Sequence, residues 1–521
     1  MRQTLLLPVA LAALPVAWAA SAEPVIPFES AAWSTPENGI DARVLALLQA
    51  KGLQPALPCS DEVFLRRVTL DVIGALPEPS DVEAFVGNPD PDKRAAVIEA
   101  LLARREFADY WALKWCDLLR VKAEFPSNLW PNAVQAYHRW VREQVRGNRP
   151  YDQFARELLT SSGSNFRVPP ANFYRAAQSR EPEGLAEVAA LTFMGTRVAS
   201  WPAEERDALA AFFSRVAYKK TEEWKEEIVY LSLDATTPLD VTFPDGTQAT
   251  IAAGEDPRVA FADWLVRPGN PWFARNIANR AWFWLMGRGV VHEPDDIRPD
   301  NPPANPELLP YLERELVSAD YDLKRLYRLI LNSRTYQQSS IPQSPTAEAE
   351  ALFACYPVRR LDAEVLIDAL DWVGGTGQSY ASPIPEPFTY IPEERRSIEL
   401  ADGSITSLFL EMFGRPPRDT GLEAERNNQP SDAQRLFLLN STDVHRRITA
   451  SPRLRRIAIA ARGDRSQLVR DVYLTLLSRE PTPPEQAAAE AYFGTPELTA
   501  ADAATDLAWA LINTMEFLYR H

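Results

Sequence analysis

Apolar residues recur at three- and four-residue spacing along most of the chain, and proline or glycine ends nearly every run. This period is typical of amphipathic α-helices. The segments that show it are 40–51, 60–72, 79–86, 93–103, 107–121, 130–145, 151–160, 183–194, 202–218, 257–265, 270–286, 307–318, 323–333 and 362–373. The pattern therefore predicts a mainly α-helical protein.

The spacing of apolar residues changes between residues 219 and 256. Apolar residues alternate with polar or β-branched residues over 228–233 and 239–251, and Asp245-Gly246 interrupts the second stretch. An Asp-Gly pair flanked by such alternation indicates a β-hairpin. We therefore expect a small β-hairpin insertion (219–256) between a first helical domain (23–218) and a second one (257–521). Two domains also agree with the length of 521 residues.

Residues 1–22 carry one basic residue, Arg2, an almost wholly apolar run, and small residues at 17–22. This pattern predicts a cleaved signal peptide. The run is too short to span ~30 Å of hydrocarbon, and it contains two prolines. We expect the mature chain to be periplasmic or secreted, with no membrane span.

Composition narrows the classes of partner and cofactor. With 55 basic and 71 acidic residues, the formal net charge is −16, which repels nucleic acid and anionic lipid at long range. The three cysteines, Cys59, Cys116 and Cys355, never form Cys-x-x-Cys-His, so covalent c-type haem is not expected. Buried free thiols are favoured for them, although one disulfide between two of them stays open. The four histidines are scattered singly, and we predict no cofactor.

Two polar groups of residues interrupt the apolar pattern of the second helical domain. Charged side chains that form bidentate pairs interact strongly, and helix residues four apart share a face. We expect the 418–428 segment to pack against 275–280, either as a structural network or as a ligand site. The candidate residues are Arg275, Asn276, Asn279 and Arg280 on the helix, and Arg415, Arg418, Asp419, Glu423, Glu425, Arg426, Asn427 and Asn428 after it.

The loop at 292–303 is rich in carboxylates and proline. Asp295, Asp296 and Asp300 offer oxygen ligands of the kind that calcium prefers. Their spacing fits no EF-hand, and Asp before proline is an ordinary turn residue. We predict no metal site, and these three aspartates are its only candidates.

The stretch 61–74, followed by Leu76-Pro77, resembles the opening of the first of two paired domains of unknown function, 1549 and 1553. These domains occur in secreted planctomycete and verrucomicrobial proteins, often fused to cytochrome c modules. The segments that resemble the second domain are 270–282, 287–289, 298–303, 359–364, 413–418, 425–427, 438–440 and 506–518. The resemblance covers nearly the whole mature chain and implies no catalytic residues.

The chain departs from the family pattern in two places. Many members carry Cys-x-x-Cys-His before the helix that contains residues 210–213, whereas this chain has the cysteine-free segment 194–202. Leu422 and Ala424 also stand where relatives often have cysteine. This protein therefore resembles a variant of the family without the haem motif.

Two functions are open. The first is a non-enzymatic envelope binding or scaffold protein beside polysaccharide-processing or redox machinery, with a polysaccharide or another envelope protein as partner. The alternative is a carbohydrate-active hydrolase or lyase, which needs paired carboxylates ~5 to 9.5 Å apart. Its candidates are Asp296, Asp362, Asp419, Glu423 and Glu425. Carboxyls facing each other across a Trp-lined cleft would favour the enzyme, and carboxyls paired with arginines would favour the scaffold.

Overall fold

The computed structural model describes residues 23–232, 236–385, 388–392, 394–494 and 498–521, so the predicted signal peptide (1–22) lies outside the described residues. The prediction of a mainly α-helical protein is confirmed. The helices of the first half are α1 (Gly39–Ala50), α2 (Asp61–Ile73), α3 (Pro79–Val86), α4 (Lys93–Ala103), α5 (Arg105–Leu118), α6 (Pro131–Arg146), α7 (Tyr151–Thr160), α8 (Asn172–Arg175), α9 (Pro182–Met194) and α10 (Ala203–Ala211).

The second half is also built from helices. They are α11 (Pro257–Val266), α12 (Phe273–Met286), α13 (Leu308–Ser318), α14 (Leu323–Leu331), α15 (Arg334–Gln337), α16 (Ala347–Ala351), α17 (Ala363–Gly374), α18 (Leu408–Met412), α19 (Asp432–Asn440), α20 (Thr442–Thr449), α21 (Pro452–Ala460), α22 (Arg465–Leu477), α23 (Pro483–Phe493), α24 (Ala500–Ile512) and α25 (Met515–Leu518).

The strands form three small antiparallel sheets. They are β1 (Gly163–Ser164), β2 (Val216–Lys220), β3 (Glu227–Leu231), β4 (Leu239–Thr242), β5 (Gln248–Ile251), β6 (Arg359–Arg360) and β7 (Tyr519–Arg520). The predicted hairpin is confirmed as β4–β5, where Thr242 pairs with Gln248 and Gly246 takes a φ of +81° in the turn.

The prediction of a helix over 202–218 is wrong beyond Ala211, because β2 begins at Val216. β2 pairs with β3, which also pairs with β1, in a three-stranded sheet. Val216 and Tyr218 are β-branched and aromatic, and such side chains suit a pleated strand. The pairing with residues 227–231 is not local, so the helical period of the preceding residues did not reveal it.

Local sequence explains where α2 begins and ends. The Ser60 hydroxyl accepts a hydrogen bond from the Val63 amide at 3.3 Å, which caps the first turn. Gly74 ends the helix with a φ of +60°, and a Cβ there would lie 2.8 Å from the Tyr110 ring. Glycine is therefore required at this position by both backbone and packing.

The hydrophobic core is continuous across the two predicted domains. Trp111 on α5 stacks on Tyr327 of α14 with ring centroids 4.2 Å apart, and it meets Trp284 of α12 edge-on at 5.5 Å. Aromatic pairs in these geometries add to the stability gained from burial. The division of the chain into two helical domains stays a prediction.

The end of the chain returns to the middle of the molecule. β7 pairs with β6, so Arg520 lies opposite Arg359 and Tyr519 lies opposite Arg360. Arg520 is 2% exposed. This pairing brings basic residues from distant parts of the sequence to one place, beside the N-terminus of α17.

All three cysteines are buried and free. Burial raises the pKa of the Cys116 thiol to about 12 and that of Cys355 to about 11. Among the helices that the structure describes, none is both long and apolar enough to cross a membrane.

Candidate functional site

Four carboxylates and six cations form one connected set of ion pairs in the interior, which we call the buried ion-pair network. Each of its pairs is 2.7–3.8 Å long, and none of its carboxylates is more than 14% exposed. Its members are Asp71, Asp117, Asp362 and Glu364, with Lys114, Arg359, Arg415, Arg418, Arg426 and Arg520.

The carboxylates are fixed by helices. Asp71 lies on α2, and Asp117 lies on α5 three residues after Lys114, so the last two share a helix face. Asp362 occupies the N-cap position of α17, and Glu364 lies in its first turn. Negative charge is favoured at a helix N-terminus. The helices thus hold the acids in place for the basic residues of β6, β7 and the 413–428 loop.

Arg426 is the centre of the network. It forms a fork with Glu364, from Nη1 to Oε2 at 2.7 Å and from Nη2 to Oε1 at 3.1 Å, and Nη2 also donates to Asp117 at 2.7 Å. Burial opposes the charge of Arg426, yet Glu364 and Asp117 raise its pKa well above the usual range. Charge-assisted, bidentate pairs of this kind are strong and directional. They hold the 413–428 loop against α5 and α17.

Two other arginines of the loop also bind backbone carbonyls. Arg418 Nε donates to Asp117 at 2.8 Å, and its Nη1 donates to the carbonyls of Ala401 (2.7 Å) and Val121 (3.2 Å). Arg415 lies 3.3 Å from Glu364 and donates to the carbonyls of Ile405 and Asp402. These donors link the loop to two further segments of backbone.

Asp362 accepts hydrogen bonds from both halves of the chain. Its Oδ2 accepts from Lys114 (2.9 Å), Tyr110 (3.0 Å) and Arg520 (3.3 Å), and its Oδ1 accepts from Asn428 at 2.7 Å. Burial opposes its charge, but Lys114, Arg520 and Arg426 hold the pKa of Asp362 well below its usual range. This carboxylate is therefore ionised and fully engaged.

The predicted polar stripe on α12 is a structural network. Arg280 is 0% exposed and donates to Asn276 (3.0 Å), Asp295 (2.6 Å) and the Leu191 carbonyl (2.9 Å). Asn276 donates to the Thr192 carbonyl at 2.9 Å. These contacts satisfy buried polar groups and join α12 to the end of α9.

The other two residues of the stripe do not join Arg280. Asn279 forms a closed pair of 2.9 Å hydrogen bonds with the backbone of Val291. Arg275 is partly exposed and pairs with Glu313 at 2.8 Å. Asn276 and Arg280 therefore bind each other in the interior, whereas Asn279 and Arg275 each bind a different part of the chain.

Glu423 connects the 418–428 segment to α12. Its Oε1 accepts from Trp284 Nε1 at 2.7 Å and lies 3.5 Å from Arg280 Nη1, and its backbone amide donates to Asp295 at 2.7 Å. Burial raises the pKa of Glu423 to about 7; Arg280 opposes this rise and Asp295 adds to it. The expected packing of the two candidate groups is thus made through Glu423, whereas Arg426 lies against α5 and α17.

The remaining candidates of the segment have local roles. Asp419 pairs with Lys122 at 2.7 Å. Glu425 accepts from the Asp419 amide and from the amide and hydroxyl of Thr420. Asn427 accepts from Arg360 through its backbone carbonyl at 3.1 Å. These three residues shape the loop and do not enter the buried ion-pair network.

The three aspartates considered for a metal are all paired with arginines. Asp295 binds Arg280 at 2.6 Å, and Asp296 and Asp300 bind Arg298 at 3.0 and 3.1 Å. Over the part of the chain that the structure describes, no cluster of His, Cys, Asp or Glu has a composition that could hold a metal ion.

A cavity of about 500 Å³ lies where the network meets α12. Lys114, Trp284, Arg288, Arg360, Glu423 and Asn428 are among the residues that line it. A groove of about 620 Å³ lies elsewhere, beside Trp372. Two of its carboxylates are engaged: Asp368 accepts from the Ser397 and Ile398 amides, and Glu78 binds Arg453 and Trp372.

Sequence reasoning missed several members of this region. Asp71, Lys114 and Asp117 lie on helices that carry several other charged residues, so nothing in the local sequence singled them out. Glu364, Arg359 and Arg360 stand in a segment used only for the family resemblance, and Arg520 lies at the chain end. None of them is near the 413–428 loop in sequence, so local pattern could not group them.

Comparison with family models matches both halves of the chain. Residues 39–217 match PSCyt2, a protein of unknown function (DUF1549), and residues 257–493 match PSD1, a protein of unknown function (DUF1553). The chain belongs to this two-domain, cytochrome-c-associated planctomycete family. Searches of curated proteins and of solved structures found no match.

The buried ion-pair network joins the two family regions. Asp71, Lys114 and Asp117 lie in the DUF1549 region, and Asp362, Glu364 and the loop arginines lie in the DUF1553 region. Arg520 lies beyond both. The pairs Lys114–Asp362 and Asp117–Arg426 therefore cross from one region to the other.

Proposed function

We propose that this protein is an exported, non-enzymatic binding and scaffold protein of the cell envelope, acting beside polysaccharide-processing or redox machinery. The observation that carries this proposal is the engagement of its carboxylates. Asp362 has four donors, Asp419 pairs with Lys122, Asp296 pairs with Arg298, and Glu425 binds Thr420. Acids fixed in this way stabilise the fold and are poor proton donors or nucleophiles.

Export rests on the signal-peptide pattern at 1–22 and agrees with the acidic balance of the chain. A polysaccharide, or another envelope protein, is the class of partner we propose. The cavity supports a small polar ligand, because its volume of about 500 Å³ falls within the range of ligand sites, about 300–1,000 Å³. Trp284 supplies aromatic surface there, and lysine and arginine supply donors.

One observation favours the alternative, a carbohydrate-active hydrolase or lyase. Glu423 lines the cavity beside Trp284, and its pKa of about 7 suits a general acid at neutral pH. A glycosidase needs a second carboxylate that is free to act. Of the other acids that line the cavity, Asp295, Asp362 and Glu293 are each bound by a cation, and Glu350 is exposed. We therefore place binding before catalysis.

The test uses the mature chain, residues 23–521, against immobilised neutral and anionic polysaccharides, with release of reducing ends measured in parallel. We expect binding without new reducing ends, and the same result for Glu423→Gln. Glu205→Gln, an exposed glutamate on α10, is the matched control. Reducing ends released by the wild type and by Glu205→Gln but not by Glu423→Gln would establish the enzyme. Absence of both binding and release would contradict a polysaccharide partner.

A further inference from the structure

The cavity contains two arginines that form no ion pair with an acid in the described part of the chain. Arg288 and Arg360 both line it, and neither has a carboxylate oxygen within 4 Å among the described residues. We propose that this cavity binds the oxyanion group of a small ligand, a sulfate, phosphate or carboxylate, with Arg360 and Arg288 as the residues that hold it. The inference rests on the proposed binding function and names the chemical class of the ligand.

Arg360 carries most of the argument. It is 3% exposed, and its Nη2 donates to the carbonyls of Phe413 (2.5 Å) and Asn427 (3.1 Å). Its Nε and Nη1 are buried and have no hydrogen-bond partner in the described part of the protein. A buried charge without a counter-ion is costly, and unmade hydrogen bonds add to the cost. An oxyanion in the cavity would lower both costs, since it would supply a counter-charge and hydrogen-bond acceptors.

Arg288 is the second unpaired cation. It follows α12 in the segment Gly287-Arg288-Gly289 and is half-buried. Its Nε is buried without a partner, and no hydrogen bond or ion pair joins it to the described residues. The guanidinium group presents a planar fork of donors that matches carboxylate, phosphate and sulfate oxygens.

The charge around the cavity also favours an anionic ligand. The buried ion-pair network has six cations for four carboxylates, and three of its cations, Lys114, Arg359 and Arg426, line the cavity together with one of its carboxylates, Asp362. This excess of positive charge lies inside a protein whose net charge is −16. An anionic ligand would balance it, whereas a neutral or cationic ligand would leave the excess in place.

Among the described residues, no acid at the cavity forms an ion pair with either arginine, and Asp362 acts on Arg360 only through its charge at longer range. Glu293 binds Arg197 at 2.7 Å, Asp295 binds Arg280, and Asp362 binds Lys114. Glu350 is exposed, and Glu423 has a raised pKa because it is buried. The two arginines thus keep guanidinium donors that form no ion pair with the acids of the cavity lining among the described residues, and such donors suit an anion.

The test is isothermal titration calorimetry on the mature chain with four probes: inorganic sulfate, glucose 6-sulfate, galacturonate and glucose. We expect at least one of the three anions to bind and glucose to bind at least about tenfold more weakly. Tighter binding of glucose 6-sulfate than of sulfate would identify the ligand as a sugar sulfate ester. Equal binding of the two would identify it as the free ion. Tightest binding of galacturonate identifies a carboxylate.

Variants connect the binding to the two arginines. Arg288→Gln breaks no hydrogen bond or ion pair within the described residues, so it should fold normally and weaken anion binding by about tenfold. Arg360→Gln should weaken it at least as much. Because Arg360 also binds two carbonyls, Arg360→Lys serves as the variant that keeps a charge and should retain part of the affinity. Arg455→Gln, an exposed arginine on α21, is the control and should bind like the wild type.

Two results would overturn the inference. One is absence of anion binding by the folded wild type. The other is anion binding that is unchanged in Arg288→Gln and in a folded Arg360 variant. If neutral polysaccharides still bind in either case, the proposed function stands without the oxyanion. If nothing binds, both fail.

Discussion

Asp117 Oδ2 lies 2.7 Å from Arg426 Nη2, and this contact joins α5 of the DUF1549 region to the 413–428 loop of the DUF1553 region. The other oxygen of Asp117 accepts from Arg418 at 2.8 Å. One carboxylate thus receives two arginines of the same loop. Removing its charge should loosen the loop and the junction between the two regions together.

Asp117→Asn should therefore lower the free energy of unfolding by about 3–5 kcal/mol, because it removes the ion-pair partner of the buried Arg418 and one of the partners of Arg426, which keeps Glu364. Urea denaturation at neutral pH measures the change. Asp263→Asn is the matched control, since Asp263 and its partner Arg156 are both exposed and such pairs contribute at most about 1 kcal/mol. Similar losses in the two variants would contradict a structural role for the network.

The loop itself depends on Gly414. This residue has a φ of +84°, and a Cβ on it would lie 1.8 Å from the Asn427 carbonyl oxygen. Gly246 in the β4–β5 turn has a similar φ of +81° with nothing within 4 Å of a Cβ. Gly246→Ala should cost about 1–2 kcal/mol for the left-handed backbone alone. Gly414→Ala should cost about 3–5 kcal/mol, because Asn427 must also move.

Thermal unfolding of the two glycine variants side by side measures this difference. Anion titration of each variant then shows whether the loop shapes the cavity. We expect Gly414→Ala to weaken binding and Gly246→Ala to leave it unchanged. Equal melting temperatures would mean that the close approach of Gly414 and Asn427 does not constrain the loop.

The end of the chain should matter for stability. Arg520 Nε lies 2.9 Å from Asp71, and its Nη2 lies 3.3 Å from Asp362. Arg520→Gln should cost about 3 kcal/mol by leaving these buried acids with fewer donors. The exposed arginine variant Arg455→Gln should change the unfolding free energy by less than about 0.5 kcal/mol. An Arg520→Gln protein as stable as the wild type would contradict this assignment.

Glu423 should make stability depend on pH in a defined direction. Burial raises its pKa from 4.5 to about 7, so the native state holds this proton more tightly than the unfolded chain does. The contribution of protonated Glu423 to the free energy of unfolding is complete below about pH 4.5, and it is lost as the pH rises to about 7. Glu423→Gln cannot lose a proton. Relative to this variant, the wild type should lose about 3 kcal/mol between pH 4.5 and 8.

Denaturation curves of both proteins at several pH values measure this difference, and the comparison cancels the titration of all other groups. Arg280 and Lys114 lower the pKa of Glu423, and Asp295 raises it. The pH at the midpoint of the stability difference therefore reports the balance of these three charges. A constant difference between the two proteins from pH 4.5 to 8 would contradict the raised pKa.

The cysteines give a simple probe of the fold. Cys59, Cys116 and Cys355 are buried and free, and burial raises the pKa of Cys116 and Cys355. Thiol reagents attack thiolates that they can reach. We expect a disulfide reagent to label none of the three rapidly in the native protein and all three in denaturant. Only one reactive thiol in non-reducing denaturant would indicate a disulfide.

Helix positions were predictable where proline or glycine lies next to the run of periodically spaced apolar residues. The bounds of α3, α4 and α7 agree with those predicted, and α3 has proline at its first position. The prediction failed at 212–218, where pairing with β3 overrides the local preference. The polar cluster was predicted from the 413–428 loop, but Arg418 and Asp117 are 301 residues apart. Such pairings depend on tertiary packing and leave no local pattern.

The cavity was not predictable for the same reason. Lys114, Trp284, Arg360 and Glu423 come from four separate segments, and only the folded chain brings them together. The absence of an ion pair between Arg360 and an acid, within the residues that the structure describes, is likewise a property of the fold, since Asp362 is two residues away in sequence and pairs with other cations.

The most direct test of the central claim, that the carboxylates hold the fold and two free arginines hold an anion, is a crystal structure of the mature protein soaked in selenate. We expect an anomalous difference peak in the cavity within hydrogen-bond distance of Arg360 and Arg288, with Asp117 and Glu364 still bound to Arg426. A cavity without a peak, or Arg360 paired with a carboxylate of the protein, would contradict the claim.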